Sequence, residues 1–347
     1  MKQKLSAPIV LAFGVIYLSW GTTYLAIKFG LDGMPPCLFG GTRLMLAGVI
    51  LGLILWWRNY SLKLTGRELL LLLMTGCLFF MGGNGMLTYA ELTVDSGMAA
   101  VLVAPTPIWL GMMEYWLPRG ERLTWAGWLG LIVGLLGVLC LLAPNLDASA
   151  KTIAPGVWLA IGSSIVWAAG SLIVRHQLLK TCPFVSAAYQ MFLGGFGLSL
   201  VGLTLGETQQ IHAHSFTLGT VGAFFYLLIF GSLLGFVAYN YLLANVPAAM
   251  ARTYAYVNPA VAILVGAFIL HEPLSLSMLG SMIIILVGVW LLRNGQKKTI
   301  AAPGDPPATG IVHRMAMNKE PLQPLSQYRG MSGSTCIDHA SMPPVKE

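Results

Sequence analysis

Arg43 is a lone cation inside an apolar run, about eight positions into the stretch 35–57. That places it roughly 12 Å along a helix from its start. A cation at such a depth in hydrocarbon costs about 2.5 kcal/mol or more unless it meets water, a cavity or a partner. Arg43 therefore either pairs with a substrate carboxylate or works a gate, or it is a snorkelling or structurally paired arginine. Asn84, within Gly82-Gly83-Asn84-Gly85, and Asn258, ahead of Pro259, pose the same choice between a cavity lining and an interhelical hydrogen bond. Trp20 and Trp167 lie too deep in their runs for an interfacial belt, which leaves cavity wall or core packing. With Tyr24, Tyr89 and Tyr256 they complete the candidate substrate-binding set: Trp20, Tyr24, Arg43, Asn84, Tyr89, Trp167, Tyr256 and Asn258.

Other polar groups suggest less. Glu121 and Glu272 close turns just before apolar runs, where a helix N-terminus favours a carboxylate. Glu91 and Glu114 lie near run ends, suited to interfacial solvation or to a proton relay, and Lys28 and Arg175 are expected to snorkel. His212 and His214 are too few for a metal, and the five cysteines form no C-x-x-C, so neither metal nor cofactor is expected. A membrane-embedded enzyme needs clustered His, Asp, Ser or Cys at depth, and none is present; no Walker motif offers ATP drive.

These residues are carried by a chain of 347 residues that is 56% hydrophobic and only 10% charged. Soluble domains carry about 25% charged residues, so the composition is that of an integral membrane protein. The net charge of +7 is scattered over short loops and a tail, without the continuous basic face that nucleic acid requires. Ten runs near the length needed to cross about 30 Å of hydrocarbon are expected as helices over 7–27, 35–57, 67–90, 96–117, 124–142, 155–175, 183–205, 217–243, 248–270 and 275–293. The residues after 293 show no periodicity and read as a disordered cytoplasmic tail over 294–347.

The first five runs match the last five at an offset of 147 to 151. Trp20, Lys28, Pro36 and Gly48 align with Trp167, Arg175, Pro183 and Gly195, and Gly85, Tyr89 and Gly130 with Gly235, Tyr239 and Gly280. Five is odd, so the second copy enters the membrane from the opposite side, and the chain reads as two inverted repeats over 7–142 and 155–293, the architecture of secondary transporters. Pro105 and Pro107 in one copy and Pro259 in the other fall near mid-membrane in matching helices; Pro107 and Pro259 are expected as hinges, each freeing the carbonyl four residues earlier. The copies differ in charge where Arg43 aligns with Gln190. Thirteen basic residues flank the runs on the side of the N-terminus (Lys2, Lys4, Arg58, Lys63, Arg67, Arg119, Arg122, Arg175, Lys180, Arg252, Arg293, Lys297, Lys298) against Lys28 and Lys151 on the other, so both termini are expected in the cytoplasm. Glycine pairs at four-residue spacing, Gly48/Gly52, Gly130/Gly134, Gly202/Gly206 and Gly231/Gly235, are read as helix-packing positions.

Trp20-Gly21-Thr22-Thr23-Tyr24, Pro35-Pro36 with Arg43, Gly83-Asn84-Gly85-Met86 with Glu91, Gly120-Glu121-Arg122-Leu123-Thr124 and Tyr254-Ala255-Tyr256-Val257-Asn258-Pro259 together resemble the drug/metabolite transporter superfamily, in particular its ten-helix EamA-type exporters. The resemblance covers about 7–293. It implies an all-α inner-membrane exporter of small metabolites or amphipathic compounds, with two five-helix units about a central cavity. Its expected partners are a small-molecule substrate, the lipid bilayer and protons as coupling ion. The chain departs from the family's Gly-Glu turn at His271-Glu272. Import or exchange of an anionic metabolite is the alternative that Arg43 motivates.

Overall fold

The computed structural model describes residues 6–117, 124–142, 154–176, 181–212, 215–246, 254–271 and 275–295. Glu121, Glu272, the tail beyond 295 and the side chain of Tyr256 lie outside the described residues. Ten apolar helices are present among them: α1 (Ala7–Leu31), α2 (Pro36–Trp57), α3 (Gly66–Ala90), α4 (Ser96–Trp116), α5 (Trp125–Leu142), α6 (Ala154–His176), α7 (Pro183–Thr204), α8 (Leu218–Leu243, its last turn reaching Asn245), α9 (Tyr254–Val265, continued by a wide turn Gly266–Leu270) and α10 (Leu276–Asn294). Seven are long and apolar enough to cross a membrane, and the other three are shorter apolar helices. Their starts follow local chemistry. Pro36 and Pro183 open α2 and α7, where the missing N–H costs nothing. Thr65 and Glu68 form a reciprocal capping box at α3, and Thr217 caps α8.

Helix pairing exposes the symmetry. The most extensive contacts join α2 to α7 and α5 to α10, each a helix with its own duplicate. α4 also meets its duplicate α9, less extensively, and other contacts come in exchanged pairs: α1 on α9 with α4 on α6, and α1 on α8 with α3 on α6. Helices that pack on their own copies, with other pairings exchanged between copies, fit a two-fold relation between the repeats, so the fold is an all-α membrane bundle of two inverted five-helix repeats. Two cores result. One collects Leu44, Phe79, Met191 and Phe236 around α2, α3, α7 and α8; the other collects Leu102, Ile108, Ile263 and Ile285 around α4, α5, α9 and α10.

The two self-pairings are backbone seams. A Cβ on Gly48 would lie 2.6 Å from the Phe192 amide nitrogen, and one on its mate Gly195 would lie 2.6 Å from that of Met45. In the other seam a Cβ on Gly288 would stand 2.3 Å from the Gly134 amide nitrogen. Of the glycines read as packing positions, Gly52 and Gly206 face open space, and Gly206 instead makes a turn at φ 72°. His271 ends α9 at φ 55°, a left-handed position that glycine adopts more easily.

The prolines act differently in the two copies. α4 divides into Ser96–Val103 and Thr106–Trp116, breaking at Ala104–Pro105 rather than at Pro107, whereas α9 runs on through Pro259. The Val103 carbonyl freed by Pro107 is taken by the Thr106 hydroxyl at 2.6 Å. A second irregularity is better matched: Cys77–Gly85 in α3 and Leu227–Phe236 in α8 are π-helical, at one offset of 150 in their first residues. Such wide turns loosen the backbone locally and recur at functional sites.

Backbone seams predict a sharp contrast between glycines. Gly288→Val should destabilise the protein by more than the about 1–3 kcal/mol of ordinary core overpacking. Gly52→Val should change the melting temperature in detergent little, and equal losses in both variants would refute the seam.

Candidate functional site

The two π-helical segments meet at Arg43. From α2 its Nη1 donates to the Leu227 carbonyl at 3.3 Å and to Ser232 Oγ at 3.1 Å, both in α8, and its Nη2 donates to Asn84 Oδ1 at 3.3 Å in α3. The residue is 4% exposed. Its partners among the described residues are neutral, so a full positive charge is held at depth by dipoles alone. Gln190, the mate of Arg43, is likewise buried and donates to Thr75 Oγ1 of α3 at 2.8 Å. Each copy therefore sends one polar side chain from its second helix to the third helix of the other. Only one of the two carries charge.

An aromatic cluster abuts this cation. Trp20 Nε1 donates to the Gly231 carbonyl at 3.0 Å, one residue before Ser232. Trp20 and Trp167 stand edge to face, with ring centroids 5.6 Å apart. Mates that touch each other lie at the two-fold axis. Tyr239 and Tyr254 pack on Trp20 at 5.1 and 5.3 Å, and Phe79 packs on Trp167 at 4.8 Å. Glycines of the wide turns admit the indoles: a Cβ on Gly83 would lie 2.8 Å from Trp167, and one on Gly235 would lie 2.4 Å from Trp20 Nε1. Tyr239 is held by a 2.8 Å hydrogen bond to Ser171. The assembled group pairs donors suited to a carboxylate or phosphate with a wall of π-faces, where an apolar or aromatic body packs well.

Trp20, Arg43, Asn84 and Trp167 are thus brought together. Tyr24 is buried in the other core with Val94, Ala99 and Ile263, and the Tyr89 hydroxyl goes to Glu207 at 2.6 Å. Asn258 is buried on α9 without a hydrogen bond to the Arg43 group. Sequence reasoning passed over Ser232, Phe79, Phe236 and Glu207. Tyr239 was legible as the mate of Tyr89; Ser232 had no comparable signal, since a serine in an apolar run is common.

Three expectations for charged groups are corrected. Glu91 and Glu114 are each 1% exposed rather than solvated, because the helix ends that carry them are covered by neighbouring helices. Arg175 does not snorkel: it forms an ion pair with Glu114, joining α6 to α4. Among the described residues Lys28, the mate of Arg175, forms no such ion pair. The described residues include no group of His, Cys, Asp and Glu able to hold a metal.

A membrane bundle of inverted repeats with a polar and aromatic group on the axis defines a membrane transporter. The model of the EamA-like transporter family matches residues 7–143 and again 154–294, and the chain belongs to that family. It is 32% identical over 309 residues to a protein of Escherichia coli strain K12 described as "Uncharacterized inner membrane transporter YedA", covering 87% of this chain and 97% of that one. It is 27% identical over 307 residues to "Uncharacterized transporter YvbV" of Bacillus subtilis strain 168, with the same coverage. A solved crystal structure superposes with a TM-score of 0.61 at 17% identity, covering 82% of this chain and 96% of that one, which supports the fold.

The Glu114–Arg175 pair carries its own prediction. Removing one partner of a buried pair strands a charge, at about 3 kcal/mol, while removing both is close to neutral. Arg175→Met should lower the melting temperature in detergent, and Glu114→Leu with Arg175→Met should recover most of the loss. A double variant as unstable as the single one would argue against a buried pair.

Proposed function

We propose that the chain is an exporter of small metabolites, secondary-active or facilitative, working by alternating access across a bacterial inner membrane. The supporting observation is Arg43, a buried cation whose described partners are all neutral and which spans the wide turns of both repeats. Such a charge is costly in lipid and gains most from an arriving anion. The substrate class favoured is therefore a small molecule with a carboxylate, as in an amino acid, and an apolar or aromatic body for the Trp20–Trp167 wall. Asn84 and Ser232 hold the guanidinium in place, so the anion meets a preorganised donor.

The two bundles rock about the broken helix α4 and about α9, with Pro107 and Pro259 lying in the segments that bend. Protons are the coupling ion of this reading, with Glu91 and Glu114 as buried carboxylates able to bind them. Import or exchange of an anionic metabolite is the second reading, and Arg43 favours it equally, because anion recognition does not set direction.

Flux in proteoliposomes, against a panel of amino acids, aromatic carboxylates and cationic drugs, with and without a pH gradient, tests substrate and coupling together. Carboxylate substrates should be moved, and Arg43→Ala should reduce their flux at least tenfold while insertion and yield stay unchanged. Unaltered flux would make Arg43 a packing residue. Thirteen basic residues against two support cytoplasmic termini. Reporter fusions at both ends should be active only on the cytoplasmic side, and an external C-terminus would contradict the topology.

A further inference from the structure

Glu207 is a buried carboxylate that the transport reading leaves unused. It follows α7 in a single tight turn, Glu207–Gln210, entered through the left-handed Gly206, and is 1% exposed. Its Oε2 accepts from the Leu38 amide at 2.8 Å, and its Oε1 accepts from the Cys37 amide at 3.2 Å and from the Tyr89 hydroxyl at 2.6 Å. The first two bonds cap the N-terminus of α2, where Pro36 leaves the next two amides pointing outward and the helix dipole favours a negative charge. They join elements already locked together along the α2–α7 seam.

The third bond is different. Tyr89 belongs to Met86–Ala90, the last piece of α3, beyond the π-helical segment Cys77–Gly85. Before that segment α3 is pinned to α7 backbone to backbone, with a Cβ on Gly76 only 2.7 Å from the Gln190 carbonyl. At the end of the segment, Gly85 meets only the flexible side-chain tip of Leu198 across that interface. Above the loosened stretch α3 packs instead on α6, where a Cβ on Gly156 would lie 2.9 Å from the Ala90 carbonyl, and the Tyr89 hydroxyl ties it to the α2–α7 unit. The other copy lacks the device: Tyr60 aligns with Glu207, and Tyr239, the mate of Tyr89, bonds to Ser171.

We propose that the Tyr89–Glu207 hydrogen bond is a latch on one face of the transporter, released when α3 bends at Cys77–Gly85 while Glu207 stays on α2. This rests on the alternating-access reading above. A single charge-assisted bond suits a latch, since it is strong enough to favour the closed form and is the only Glu207 contact that must break.

Cys37 is a native reporter, because its own amide is a Glu207 donor and its side chain is 2% exposed in the latched form. Full-length protein in right-side-out and inside-out vesicles is treated with a membrane-impermeant maleimide. Modification of Cys37 is then followed by peptide mass spectrometry, apart from the other cysteines. Tyr89→Phe keeps the ring and removes the bond. It should raise Cys37 labelling about tenfold from the latched face alone, the ratio set by losing a bond of that strength. Tyr189→Phe, which removes a hydroxyl bonded to the Leu62 carbonyl at the other end of α2, should leave Cys37 labelling unchanged. Equal labelling in wild type and Tyr89→Phe overturns the latch and leaves alternating access standing. A rise from both faces also overturns it, as general loosening. Absence of Cys37 labelling in every variant during flux overturns both the latch and access from that face.

Discussion

Close backbone approach along two seams is the constraint on which this molecule depends. Between lipid-facing helices water supplies no drive to associate, and attraction comes from dispersion, which falls steeply with separation. Glycines at α2–α7 and α5–α10 bring the backbones together where any side chain would collide. Each seam joins a helix to its own duplicate, so the seams also fix the two-fold relation of the repeats. Everything on the axis follows from them, including the meeting of Trp20 with Trp167.

With the seams set, polar groups find partners across the axis as well as within a repeat. Arg43 crosses from α2 to α8, and Gln190 from α7 to α3. The symmetry is then broken in charge at two places: Arg43 against Gln190, and Glu207 against Tyr60. A symmetric scaffold is enough to make two equivalent halves move. The asymmetric charges are what give the two faces and the centre different chemistry. The π-helical segments lie at matched places in α3 and α8 and border the Arg43 group from both sides. The site therefore touches loosened backbone in both copies.

Much of this was legible beforehand. Most helix ends agreed with the expected runs, because hydrocarbon thickness fixes length and because Pro36 and Pro183 mark the starts of α2 and α7. However, α1 runs on to Leu31 past the expected 27, and the expected start of α9 at 248 lies outside the described residues. Asn84 was open between a cavity lining and an interhelical hydrogen bond, and it accepts one from Arg43 within a π-helical turn. Other features were hidden for physical reasons. Glu207 acts through amides 169 and 170 residues away, and nothing local announces that. The burial of Glu91 and Glu114 depends on neighbouring helices, not on their distance from a run's end. The break in α4 fell at Pro105 rather than Pro107, since Thr106 repairs the carbonyl that Pro107 frees.

The sequence by itself determined the membrane class, the ten helices, the duplication and its inversion. These rest on composition, on length against bilayer thickness and on the parity of five, all of which are properties of the chain read in one dimension. Only the tertiary structure decided which polar groups face one another. Arg43 gained Asn84, Leu227 and Ser232, Tyr89 gained Glu207, and Tyr24 was drawn into a different core. A side chain's partner in lipid is whichever group the helix packing brings within about 3 Å, and that packing is set by seams between segments some 150 residues apart.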